Sequence, residues 1–105
     1  MAMPGTTPPE TPIACTLDAR EYADRTATLA ALAARALRSR EPTTTGERLV
    51  FADTPEIERE LRAVIAAEAR CCAFLTMHLQ RRDDALVLDV AGPRDARPVI
   101  AALFG

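Results

Sequence analysis

The hydrophobic pattern predicts an α+β fold, a two-layer sandwich in the order β-α-β-α-β-β-α, with helices on one face of a four-stranded, mostly antiparallel sheet. Three observations carry this reading. Apolar residues alternate with a period of two in short stretches, they recur with a period near 3.6 in two longer ones, and Gly, Pro or paired Asp residues punctuate the boundaries. A length of 105 residues, 49% hydrophobic and 27% charged, suits one small domain with a single core.

Residues 1–12 hold Pro4, Pro8, Pro9 and Pro12 among Thr and Gly, a composition that sustains no helix and buries little apolar surface. They are expected to form a disordered tail, leaving residues 13–105 as the single domain. Ile13, Cys15 and Leu17 alternate with Ala14 and Thr16 as in a short strand, so Cys15 points where Ile13 and Leu17 point. Asp18 and Glu21 form a variant capping box. A first helix is expected from there, with Tyr22, Leu29, Leu32, Ala33, Ala36 and Leu37 on its apolar side and Arg20, Asp24, Arg25, Arg35 and Arg38 on the other.

The segment 41–46 (EPTTTG) breaks that helix, and 48–52 (RLVFA) reads as a strand with Leu49 and Phe51 on one face. Thr54, Pro55 and Glu56 supply an N-cap, a proline at the first helical position and an acid near the positive end of the helix dipole. The helix that follows carries Ile57, Leu61, Val64, Ile65, Cys72 and Leu75 on one stripe, and the position that fills the stripe between Ile65 and Cys72 is Glu68. The period then changes. Leu75, Met77 and Leu79 alternate with Thr76, His78 and Gln80; a turn at Arg82-Asp83-Asp84 follows, and then Leu86, Leu88 and Val90 alternate, as in an antiparallel hairpin. After Gly92-Pro93, Ala96, Val99, Ile100, Leu103 and Phe104 form a last short helix. Its start falls near residues 94–96, because Pro98 is tolerated only in the first turn.

With 13 basic against 15 acidic side chains, no Trp and 4% aromatic residues, the chain lacks both the basic footprint and the stacking platform of a nucleic-acid binder. No apolar run approaches the ~20 residues of a membrane span, and the first residues lack the regions of a signal peptide. A cytoplasmic location is therefore expected. Three Cys in such a chain argue against a disulfide framework. No Gly-rich phosphate loop, nucleophile elbow or paired-histidine zinc motif is present, and the single His matches no nucleophile by position. An enzymatic role is thus less expected than a binding one.

The informative stretch is 68–75 (EARCCAFL). On a helix Glu68 lies beside Cys71 and Cys72, at i+3 and i+4, so a carboxylate and two thiols share one surface near the helix's C-terminal end. A carboxylate on an apolar stripe is costly unless paired. It could snorkel outward or pair with an arginine such as Arg48, the cysteines then acting as small hydrophobes. Alternatively Cys71, Cys72, Cys15 and Glu68 form a soft-metal site, since thiolates select Hg(II), Cu(I), Zn(II) or As(III) over hard cations. In that reading the carboxylate takes the thiol proton as the metal binds. Adjacent helical residues diverge by about 100°, so Cys15 with one of the vicinal pair is a better clamp than Cys71 with Cys72. A closed zinc site would have to recruit His78 or Glu68.

At ExxCCxFL, with Cys15 and Leu17 before it and Leu86, Leu88, Val90, Gly92, Pro93, Leu103 and Phe104 after it, the sequence resembles a family of small uncharacterised bacterial domains. The likeness runs from Ile13 to Phe104. It departs from the common pattern at Ala73, where the family often has Pro. Related segments are similar to ones appended to MerR-type regulators or encoded near heavy-metal resistance genes, which implies metal association. The expectation is a cytoplasmic thiol-containing domain that binds a soft metal ion. The rival expectation is an interaction or homodimerisation module with structural cysteines.

Overall fold

The computed structural model describes residues 19–71 and 74–105, with Ala19, Tyr22 and Cys71 described by their backbone alone. The expected tail and the expected first strand at Ile13–Leu17 lie outside the described residues, as do Cys15, Cys72 and Ala73. The described elements are α1 (Ala19–Ala36), β1 (Leu37–Pro42), β2 (Gly46–Ala52), α2 (Pro55–Cys71), β3 (Thr76–Arg82), β4 (Ala85–Ala91) and α3 (Arg97–Ala102), the last preceded by a single 3-10 turn at Arg94–Ala96. The protein is an α+β domain whose described strands pair antiparallel, in the order β1-β2-β4-β3.

Alternation decides which face each strand residue occupies. Leu49 opposes Leu88, which opposes Leu79; Phe51 opposes Leu86; Met77 opposes Val90. These inward residues join Leu29 and Leu32 of α1, Ile57, Leu61 and Val64 of α2, and Ile100 of α3 in one core, so the helices cover this face. On the opposite face Arg48 reaches Asp89 across the strands, 2.8 Å between Nε and Oδ1, and His78 is in register with Asp89 and exposed.

Strand β1 was not expected. Its sequence, LRSREP, is mostly polar, and it forms because it lies at the sheet edge against β2 rather than because of its own pattern. Helix α1 therefore stops at Ala36, and Leu37 opens the strand rather than closing the helix. The break expected over 41–46 narrows to the turn at 43–45, where Thr43 Oγ1 accepts from Gly46 N–H at 3.0 Å. A Cβ at Gly46 would stand 1.8 Å from the Val90 carbonyl oxygen, so glycine is required where β2 and β4 approach this closely.

The other elements follow their local signals. Thr54 caps α2, its Oγ1 accepting from Ile57 N–H at 3.1 Å. Asp83, with φ 56°, supplies the left-handed residue of the two-residue hairpin turn, a conformation aspartate tolerates better than most residues. Pro98 sits in the first turn of α3. Arg40 on β1 closes the other end of α3 by donating to the carbonyls of Ala101 and Gly105 and to Glu47.

The hairpin is tied to the start of α2 by Arg81, which reaches Asp53 at 2.7 Å and Glu58 at 2.6 Å. The hydrogen bond from Arg81 holds the Asp53 carboxyl below its usual range, and those from Arg81 and Arg62 do the same for Glu58. The hydrogen bond from Arg35 likewise lowers Glu60. A carboxylate whose folded pKa is depressed stabilises the fold above its unfolded pKa, and that contribution is lost as pH falls through the folded value. The urea midpoint is therefore expected to drop as pH falls below the ordinary values of 3.8 for Asp53 and 4.5 for Glu58. An Arg81→Met variant should show a shallower acid limb. An identical limb would mean that the Arg81 pairs do not contribute.

Candidate functional site

Glu68 stands on the core stripe of α2, as its spacing implied, and is 2% exposed. It neither snorkels outward nor pairs with Arg48, whose guanidinium is on the far face of the sheet with Asp89. Its partner is Arg25 of α1, whose Nη1 donates to Glu68 Oε2 and whose side chain is 18% exposed. The hydrophobic pattern alone sets Arg25 on the polar side of its helix. The signal that could have found it is the spacing: 25, 29, 32, 33 and 36 fall on one helical face, so Arg25 interrupts the stripe of α1 as Glu68 interrupts that of α2. Two complementary interruptions meet where the helices pack.

The pairing has a clear electrostatic logic. Glu68 lies in the last turn of α2, where the negative end of the helix dipole disfavours a carboxylate, and burial disfavours it further. A guanidinium from the neighbouring helix offsets both. It does not satisfy the whole group, because Glu68 Oε1 is buried with no hydrogen-bond partner among the described residues. Few buried polar atoms in folded proteins are left so, and each calls for an explanation.

Glu68 also lines a cavity of about 230 Å³ with Ile65, Ala69, Leu75, Thr76 and Met77, between the end of α2 and the start of β3. A larger groove, about 540 Å³, runs between α1 and α2 over Leu29, Leu32 and Val64. Arg25 belongs to its wall, with Asp24 and Glu60 at the rim. The guanidinium thus stands between the groove and the buried carboxylate.

Of the residues proposed from sequence, the structure places Glu68 in the core and Cys71 as the last residue of α2, three positions further along the same helix. Cys72 and Cys15 lie outside the described residues. Met77 is half-buried and shares the cavity with Glu68, whereas His78 is on the opposite face of β3. Among the described residues no group of three His, Cys, Asp or Glu side chains is placed to hold a metal ion, and no helix is long and apolar enough to cross a membrane. Comparison of the chain with known protein families, with curated proteins and with solved structures finds no match.

Proposed function

We propose that this chain binds a soft metal ion such as Hg(II) or Cu(I) through the thiolate of Cys71 or Cys72, with Cys15 as the second thiolate ligand. Glu68 then serves as proton acceptor or oxygen ligand. The observation that carries the proposal is the buried carboxylate oxygen, Glu68 Oε1, without a partner among the described residues and three positions before Cys71 on α2. Thiols must lose their protons to bind metal, so a nearby oxygen with unused acceptor capacity lowers the cost of binding. Arg25 engages Glu68 Oε2, which leaves Oε1 as the oxygen with acceptor capacity. The likeness to domains found near heavy-metal resistance genes points the same way.

The test is a titration of the reduced chain with Hg(II) in competition with a free monothiol, followed by thiolate-to-metal absorbance. Tighter binding than the monothiol is expected, with a large loss on Cys71→Ser or Cys72→Ser. Glu68→Gln should weaken binding about 10- to 100-fold, the range for a group that supports metal ligands, and should alter the pH dependence. Binding no tighter than the monothiol, and unchanged by serine at positions 15, 71 and 72, overturns the proposal.

A further inference from the structure

The two edges of the sheet differ in kind. Strand β1 is blunted as a pairing template: its register with β2 shifts between Leu37 and Ser39, it ends at Pro42, and Arg38, Arg40 and Glu41 crowd six residues. Strand β3 is charged only at its end, on Arg81 and Arg82. It runs Thr76 to Arg82 in unbroken register with β4, without proline or bulge.

The register fixes the hydrogen-bond parity of that edge. Gly92 N–H donates to the Thr45 carbonyl at 3.1 Å, and the two positions continue the β2–β4 register. In an antiparallel ladder such pairs alternate, so Leu88 and Val90 of β4 direct their backbone groups to β2, while Val87 and Asp89 direct theirs to β3. The partners of Leu86, Leu88 and Val90 on β3 are Arg81, Leu79 and Met77. The N–H and C=O groups of Met77, Leu79 and Arg81 therefore point away from β4, at an edge that pairs with no other strand among the described residues.

We propose that this edge pairs with the β3 edge of a second copy of the chain, antiparallel about a two-fold axis at Leu79. The two sheets then become one continuous sheet. The register is self-complementary. Leu79 meets Leu79 in a hydrogen-bonded pair, Met77 meets Arg81, His78 meets Gln80, and Thr76 meets Arg82, so all of β3 is used and no like charges oppose. Arg81 is already neutralised by Asp53 and Glu58 on its own chain. Met77 and Leu79, half-buried at the margin of the core, extend their apolar strip across the axis. Among the described strands, a symmetric, closed pair of this kind leaves only the blunted β1 edges outward. The proposal is independent of the metal reading.

The test is sedimentation equilibrium of the full reduced chain with a chelator present, so that neither metal nor disulfide can link copies. A reversible dimer is expected, with the amides of Met77, Leu79 and Arg81 gaining protection from exchange as concentration rises. Thr76→Arg sets an arginine against Arg82 twice in each dimer and should weaken association about tenfold. Thr76→Glu should tighten it, and Thr76→Arg with Arg82→Glu should restore it. Both positions are exposed, and an unchanged circular dichroism spectrum shows that each variant is folded. A monomer at every concentration overturns the proposal, whether its β3 amides exchange freely or are protected by the chain's own residues 1–18. A dimer whose affinity ignores the charge at position 76 overturns it too.

Discussion

Replacing Arg25 by methionine is expected to cost about 3–5 kcal/mol of folding stability, the range for removing one partner of a buried ion pair. Glu68→Gln should cost less, about 1–3 kcal/mol. The asymmetry follows from exposure: Glu68 is 2% exposed and cannot recover water when its partner goes, whereas the Arg25 side chain is 18% exposed and can. Arg25 has interactions beyond Glu68 as well, which enlarge the loss when it is changed. The double replacement Arg25→Met with Glu68→Leu should return to within about 1–2 kcal/mol of the parent, because apolar residues of similar volume often replace a buried pair without loss. Urea unfolding of the three variants measures all of this. Equal and small losses for both single changes would show that the pair is solvated and that Glu68 carries no functional tension. If the double variant folds well yet loses metal affinity, the carboxylate is retained for binding rather than for stability.

Phe51→Ala is expected to be the most damaging single truncation in the sheet, at about 3–5 kcal/mol. Phe51 is fully buried near the end of β2, paired with Leu37 on one side and Leu86 on the other. Its ring meets Phe104 edge-on at 5.7 Å between centroids, with 62° between planes, an arrangement worth about 0.5–1.5 kcal/mol beyond the area it buries. The loss therefore reaches past the sheet to the chain's C-terminal end. Phe51→Leu should cost under about half as much, since it keeps most of the volume. Denaturant midpoints for the two variants, with Phe104→Leu to isolate the ring contact, measure the expectation. A cost below about 1 kcal/mol for the alanine variant would mean that the core collapses around the gap.

Much of this architecture is legible in the residues because local signals agreed with tertiary need. Thr54-Pro55 starts α2, the paired Asp residues turn the hairpin, and Leu49, Phe51, Leu86, Leu88 and Val90 mark the inner face by simple alternation. Strand β1 is illegible for the converse reason. LRSREP has no apolar period, and only the neighbouring β2 makes it a strand. The candidate site divides in the same way. Glu68 is legible because a charge on an apolar stripe breaks a pattern, but its partner is not, because which two helical faces touch depends on packing across 43 residues of sequence. Arg48 is nearer in sequence, but the alternation of β2 sends it to the other face of the sheet, where it meets Asp89.

The junction between α1 and β1 bears on that site. Ala36 is the last helical residue and Leu37 the first of the strand, so helix and sheet share a rigid joint with no slack in the chain between them. The rotational phase of α1 is thereby locked to the sheet. A single residue inserted at this joint would turn the helix by about 100° about its own axis and swing Arg25 away from Glu68. The three-residue turn at 43–45, by contrast, could lengthen without moving either partner. In this sense the buried carboxylate is held in tune by the place, eleven residues downstream of Arg25, where a helix becomes a strand.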